Sequence, residues 1–425
     1  MKEDFLHYIW NFKLFNTNNL KTSKLEDIKI IKSGQHNTDA GPDFFNAKIQ
    51  IDNTIWVGNV EIHIKSSDWN KHKHQYDNAY DNVILHVVYE NDEQILNSKN
   101  QAIPTVALKS IILENVNENY NNLNQSLSWI PCANQISAVD SFTINSWLER
   151  LAYERLERKA EEIKIILAQN KNDWESTFYQ LLVKYFGLKV NALPFELLAQ
   201  NTPLKVLEKH RNIESVEAIL FGQAGFLNET KEDEYYLKLQ KEYDFLKNKF
   251  KLTPIDMSVW KFLRLRPYNF PTIRIAQIAQ LFVKQARMFN KIVNTEKLEG
   301  IQSLFNVSAS NYWDNHFNFK NPSKQVLAKQ LGSLTINNII INVVIPVTFV
   351  YGKTINDEEI VSKSLNWLEE LKAENNSIIT NWKALNINPN NALQSQALIE
   401  LKNNYCSEKK CLNCSIGNKL LKQSI

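Results

Sequence analysis

Cysteine is scarce in this chain of 425 residues: Cys132, Cys406, Cys411 and Cys414 are the whole complement. So few thiols exclude a disulfide scaffold and fit a reducing compartment, where clustered cysteines bind metal or stay free. A strong excess of one charge is also missing. Lys and Arg total 49 against 46 Asp and Glu, a net charge of +3, so a surface for nucleic acid has to be local. The most apolar run, Ile336 to Val350, is interrupted by Asn337, Asn338, Asn342 and Pro346 and falls short of the ~20 residues that span a bilayer. The opening Met1-Lys-Glu-Asp-Phe-Leu-His-Tyr-Ile-Trp lacks the basic start and apolar stretch of a signal peptide. The expectation is a cytoplasmic protein with no membrane segment. No fixed-period repeat stands out, so a solenoid is not supported.

What is present is ordinary globular material, 44% hydrophobic and 22% charged, which excludes a disordered or collagen-like chain. The length suits two or three domains. Phe5, Ile9, Phe12 and Leu14 predict an opening amphipathic helix. Short β-favouring runs at 28–32, 44–51 and 55–65 follow, with Gly34, Gly41 and Asp52-Asn53 as punctuation. A polar stretch from Asp68 to Asp81 with helical character precedes Val83-Ile-Leu-His-Val-Val-Tyr, which reads as a strand buried on both faces. The order is α-β-β-β-α-β over residues 1–110. A connection at 111–140 leads to a large all-helical domain at 141–425, so the fold class is α+β. Its first helix is capped by Asp140 or Ser141 and carries Leu148, Ala152, Leu156, Ala160, Ile163 and Leu167 along one face. Further helices are expected near 173–186, 214–221, 231–250, 256–265, 272–290, 335–351, 357–372 and 393–404.

The sharpest chemical signal is Gly41-Pro42-Asp43 opening the second strand and Glu61-Ile-His-Ile-Lys65 on the third. Strand alternation puts Glu61, His63 and Lys65 on one face and Ile62 and Ile64 on the other. If a hairpin through Asp52-Asn53-Thr54 makes these strands neighbours, Asp43 and Glu61 converge at one end of the sheet. Two carboxylates there suit a hard divalent cation, Mg²⁺ or Mn²⁺. Histidines crowd the same region: His7, His36, His63, His72, His74 and His86 precede only His210 and His316. His72 and His74 are read as groups facing phosphate, and His86 as a core residue; the alternative is a Zn²⁺ or transition-metal site built on this loop.

Two further features stand apart. Cys406-x4-Cys411-x2-Cys414, with Cys132 as a fourth sulfur, suits Zn²⁺ or a [4Fe–4S] cluster by count, against free thiols as the alternative. Lys261, Arg264, Arg266, Arg274, Lys284 and Arg287, interleaved with Tyr268 and Phe270, form an acid-free run that could meet phosphates and stack on bases.

The order of elements with Pro42-Asp43 and Glu61 resembles the PD-(D/E)XK nuclease superfamily. That resemblance implies a restriction-endonuclease-like fold and Mg²⁺-dependent cleavage of nucleic acid, DNA preferred, with Asp43 and Glu61 as metal ligands. Glu3 is a weaker match to the acid some members carry on the first helix. The position of the superfamily's Lys is held by His63, and Lys65 lies roughly 7 Å further along the strand; either is the candidate that orients the nucleophile. A noncatalytic nucleic-acid-binding protein with a degenerate nuclease fold is the rival, as is a Zn-dependent hydrolase. The chain as a whole, through segments such as Gly41-Pro-Asp-Phe-Phe-Asn-Ala, Gly58-Asn-Val-Glu-Ile-His-Ile-Lys and Leu220-Phe-Gly-Gln-Ala-Gly-Phe, is similar to the domain of unknown function 2851 family.

Overall fold

The computed structural model describes residues 2–229, 231–319 and 322–423. Contacts divide it into two units, 1–147 with 401–425, and 148–400. This departs from the boundaries expected from sequence: 111–140 packs as part of the first unit instead of forming a free connection, and the described residues from 401 onward return to it.

The first unit opens with helix α1 (Glu3–Phe12), whose two leading acids Glu3 and Asp4 complement the positive end of the helix dipole. Its buried stripe is Phe5, Leu6, Tyr8, Ile9 and Trp10, and it ends at Lys13 in a left-handed conformation. Six strands follow: β1 (Ile28–Lys32), β2 (Gln35–His36), β3 (Phe44–Ile51), β4 (Thr54–Lys65), β5 (Val83–Glu90) and β6 (Thr105–Ala107). They lie in the order β1-β3-β4-β5-β6, with β2 also on β3. The β1/β3, β2/β3 and β3/β4 pairs are antiparallel and β4/β5 and β5/β6 are parallel. The change of sense falls on either side of β4, because a two-residue turn at Asp52 joins β3 to β4 while a crossover carries the chain from β4 to β5. That crossover holds only a four-residue helix, α2 (Asp68–Lys71), and two 3₁₀ turns, His74–Tyr76 and Asn78–Tyr80. Trp69 anchors it among Val83, Ile95 and Ile103, its indole N–H donating to the Leu96 carbonyl at 3.1 Å.

Helix α3 (Glu114–Gln125) covers the other end of the chain's path. Its buried Asn119 amide donates to the carbonyls of Leu420 and Gln423 at 3.1 Å each. These bonds satisfy the free carbonyls at the end of the helix Ser415–Lys422, which is why the C-terminus belongs to the first unit.

The second unit is helical. It begins within the helix Ser141–Gln169, at residue 148, and all six apolar residues assigned to that helix's inner face are buried. The helix expected at 256–265 is absent: this stretch holds only a 3₁₀ turn at Met257–Val259, followed by Arg264 in a left-handed conformation. The helix expected at 272–290 is two, Pro271–Lys284 and Met288–Val293, broken where Arg287 turns left-handed. The apolar run near 340 is longer than the sequence suggested. Ser333–Ile355 forms a continuous 23-residue helical segment, long and apolar enough to cross a membrane, with 61% of its most apolar window buried inside the protein. It includes a π-helical stretch, Ile340–Val344.

Candidate functional site

A bulge in β3 sets the geometry of the carboxylates. Phe44 pairs with Val60 and Ala47 with Gly58, so Phe45 and Asn46 together face Asn59 alone. Asn46 takes up the extra residue in a left-handed conformation, φ 55°. Because side chains alternate with period two, one inserted residue exchanges the faces of everything beyond it. Without the bulge Asp43 would share a row with Ile62, on the core side; with it, Asp43 lies opposite Glu61. Gly58 tightens the same place from the other side, since a Cβ there would meet Ile84 Cγ2 at 2.4 Å and the Asn82 carbonyl at 2.5 Å.

The two acids are clasped together. The Asp43 N–H donates to Glu61 Oε2 at 3.2 Å, and the Ile62 N–H donates to Asp43 Oδ2 at 2.9 Å. Helix α1 adds Glu3 and His7, one turn apart and therefore on one face. His7 Nε2 stands 3.3 Å from Asp43 Oδ2, at ion-pair distance though outside hydrogen-bond geometry. The other oxygen of Glu61, Oε1, faces imidazoles: His74 Nε2 at 3.3 Å and His63 Nε2 at 3.5 Å. Lys73, left-handed at φ 64°, reverses the crossover between His72 and His74, so that both rings turn back toward β4. Tyr80 stacks on His74 at 3.8 Å.

His63 is the hub of the imidazoles. Its Nδ1 is 2.8 Å from His86 Nε2 and its Nε2 is 3.2 Å from His72 Nδ1. Donor atoms of His63, His72 and His74 lie within 4.8 Å of one another, a spacing that one metal ion can bridge. His86 is thus not the self-sufficient core residue expected from its strand; fully buried, it binds His63 by one nitrogen while Nδ1 has no hydrogen-bond partner.

The electrostatics follow from burial and crowding. Glu61 is pushed well above the usual carboxylate range by burial first, then by Asp43 and Glu3. Burial and then Asp43 raise Glu3. His63 is driven down to about 2 by burial and by the neighbouring His86, His74 and His72. Burial dominates for His86, down to about 3, and for His74, down to about 4. His7 goes the other way: burial lowers it, but the adjacent Asp43 carboxylate, with Glu3 and Asp4, outweighs that. Burial, then Glu61 and Asp43, lift Tyr80 to about 12.

The remaining candidates from sequence are placed differently. Lys65 is exposed at the end of β4, its N–H donating to Asp68 Oδ2 at 3.0 Å. His74 is mostly buried and faces Glu61, while His72 is exposed. Arg274 does not belong to a phosphate-contacting surface: its guanidinium is buried and donates to Gln277, Asn269 and Thr335. Arg264 and Arg266 are exposed, on irregular backbone and a turn. His7 and Tyr80 were not singled out from sequence. For His7 the signal was available, four residues after Glu3 on an amphipathic helix.

An α+β protein with an acid and histidine centre on its mixed sheet is the class that fold and site define. The chain belongs to the family described as "Protein of unknown function (DUF2851)", matching it over residues 3–377. The matched stretch holds Asp43, Glu61, every histidine of the centre and Cys132, and ends before the other three cysteines. No curated protein and no solved structure matches the chain.

Proposed function

We propose that the first unit is a metal-dependent phosphodiesterase acting on nucleic acid, DNA preferred, with a restriction-endonuclease-like core. The observation that carries this reading is the position of Glu61, one oxygen held against Asp43 and the other against His63 and His74. The antiparallel pair β3/β4 followed by the parallel strand β5 supports the fold assignment.

The residues fit a divalent cation. Beyond burial, Asp43 makes ionisation of Glu3 and of Glu61 costlier, and Glu3 adds to the cost at Glu61, a conflict that a nearby cation relieves. Buried His74 Nε2 and His7 Nε2 lack hydrogen-bond partners. Asp43 and Glu61 offer the oxygen donors that Mg²⁺ or Mn²⁺ takes. A divalent ion there supplies a Lewis acid for the phosphoryl oxygens. His63, held neutral and fixed by His86 and His72, is placed to orient the attacking water without taking its proton. Exposed Lys65 lacks that placement, so the orienting role passes to the imidazoles. A cavity of about 420 Å³ beside His7 and His36 is lined by Lys2, Lys409 and Lys410 together with Asp4 and Glu408, the last paired with Lys410.

A second reading concerns the metal alone. The close grouping of His63, His72 and His74 favours Zn²⁺ or Mn²⁺ on nitrogen, with Glu61 completing the set. Metal-stripped protein supplied separately with Mg²⁺, Mn²⁺ and Zn²⁺, and assayed on labelled DNA and RNA, tests both readings. Cleavage that requires a divalent ion and disappears in Asp43→Ala supports the proposal; cleavage unchanged by that substitution removes it.

A further inference from the structure

All four cysteines of the chain are brought into the first unit, although 274 positions separate Cys132 from Cys406. All four are free thiols, and Cys132 and Cys414 are buried. Cys132 sits in the turn before the 3₁₀ segment Ile136–Ala138, and the C-terminal helix Ser415–Lys422 packs against that segment. The side-chain amide of Gln423 donates to the Ala138 carbonyl at 3.2 Å, closing the same contact. Cys406 ends a π-helical stretch, Leu401–Cys406, a local geometry that is frequent at functional sites. The stretch ending at Cys406 packs against the turn Cys411–Asn413, and that turn packs against the helix Ser415–Lys422, so the four cysteines lie on or beside elements in mutual contact.

The backbone closes tightly around these positions. Gly417 lies so close to Cys411 that an added Cβ would meet its carbonyl oxygen at 2.2 Å, so the loop folds tightly around the sulfurs. Four thiolates around Zn²⁺, or around a [4Fe–4S]²⁺ cluster, carry a net charge of about −2.

We propose that Cys132, Cys406, Cys411 and Cys414 together bind one thiophilic metal centre, a zinc ion or an iron–sulfur cluster, that fastens the C-terminal segment to the turn at Cys132. Binding displaces the thiol protons to solvent and joins four sulfurs to metal. The fastened loop includes residues 408–413, which form one wall of the cavity beside His7 and His36. The centre is thus a structural brace for that wall and stands apart from the acid and histidine site.

The test uses the full chain purified without oxygen, with elemental analysis and X-ray absorption at the metal found. The expected result is zinc or iron with a metal–sulfur shell near ~2.3 Å; absorbance near ~400 nm with equimolar sulfide selects the cluster, and its absence with zinc present selects the ion. The Cys411→Ser, Cys414→Ser double variant is expected to lose this metal and the His63→Ala, His72→Ala double variant to keep it. Should the cysteine variant not fold, titration of the wild-type protein with an organomercurial keeps the proposal at risk: metal is released in step with thiol modification. Thiols that react with no release of metal, or a metal shell of nitrogen and oxygen alone, overturn it.

Discussion

Asp43 and Glu61 hold each other through the backbone: the Asp43 N–H meets the Glu61 carboxylate at 3.2 Å, and the Asp43 carboxylate meets the N–H of the residue after Glu61 at 2.9 Å. This reciprocal clasp fixes two acids on adjacent strands at a spacing set by backbone and not by flexible side chains. It depends on the bulge at Phe45 and Asn46.

Asn46→Gly is therefore expected to leave folding and activity nearly unchanged, because glycine accepts the left-handed backbone freely. Asn46→Val places a β-branched residue at φ 55° and is expected to lower stability by ~1–2 kcal/mol while weakening metal-dependent cleavage. Denaturant titration and an activity assay on the three proteins check this; equal stability of the Val and Gly variants would contradict the role given to the bulge.

The imidazoles, and not Lys65, are expected to orient the nucleophile. His63→Ala should reduce cleavage by roughly 10²–10⁴-fold, and Lys65→Ala by no more than a few-fold. Single-turnover rates at saturating metal separate the two. A large loss in the Lys65 variant with none in the His63 variant would return the role to Lys65.

Acid sensitivity follows from the buried imidazoles. His63, His86 and His74 are held near 2, 3 and 4, below their ordinary 6.5, so the unfolded chain binds protons that the folded one refuses. Their contribution is whole above 6.5 and is lost as pH falls toward the folded values. Glu61 works in the opposite sense: its raised pKa adds stability at low pH that disappears as pH rises through the folded value. Glu3 and His7, also raised, act with Glu61; the three imidazoles, which all refuse protons below 6.5, are expected to outweigh them there, so the metal-free protein should reach its highest Tm near neutral pH and lose several degrees per pH unit below ~6. Calorimetry from pH 5 to 8 on chelator-treated protein measures this, and a Tm flat across the acid half contradicts it.

Much of the first unit was legible because its periods are clean. β1, β3 and β5 fall almost where alternation and turn residues placed them, and Asp43 with Glu61 followed from the hairpin. The bulge was not legible, since Asn46 in a strand carries no mark of the left-handed backbone it adopts. The imidazole hub was hidden for a related reason: His72, His74 and His86 meet His63 only through the crossover, whose path depends on Trp69 finding its apolar pocket. The basic run at 261–287 misled at Arg274, because charge in a sequence says nothing of burial. Arg274 points inward, to partners at 269, 277 and 335.

Arg274→Ala accordingly tests a structural role. Removing the guanidinium leaves buried Gln277 and its neighbours without a donor, at an expected cost of ~2–4 kcal/mol. Arg264→Ala and Arg266→Ala, both exposed, should leave Tm within about 1 °C. Thermal unfolding of the three variants decides it, and an unchanged Tm for Arg274→Ala would mean that its hydrogen bonds do not hold the unit.

The most direct measurement is single-turnover cleavage of end-labelled DNA by wild type and Glu61→Gln, each stripped of metal and then titrated with Mn²⁺. Glutamine preserves the volume of Glu61 and the oxygen that meets the Asp43 N–H while removing the negative charge. The account predicts Mn²⁺-dependent cleavage by the wild type and a loss of at least ~10³-fold in the variant, with unaltered thermal unfolding of the metal-free proteins near pH 7. Equal cleavage by the two proteins, or none by the wild type on DNA or RNA with any of Mg²⁺, Mn²⁺ and Zn²⁺, would contradict it.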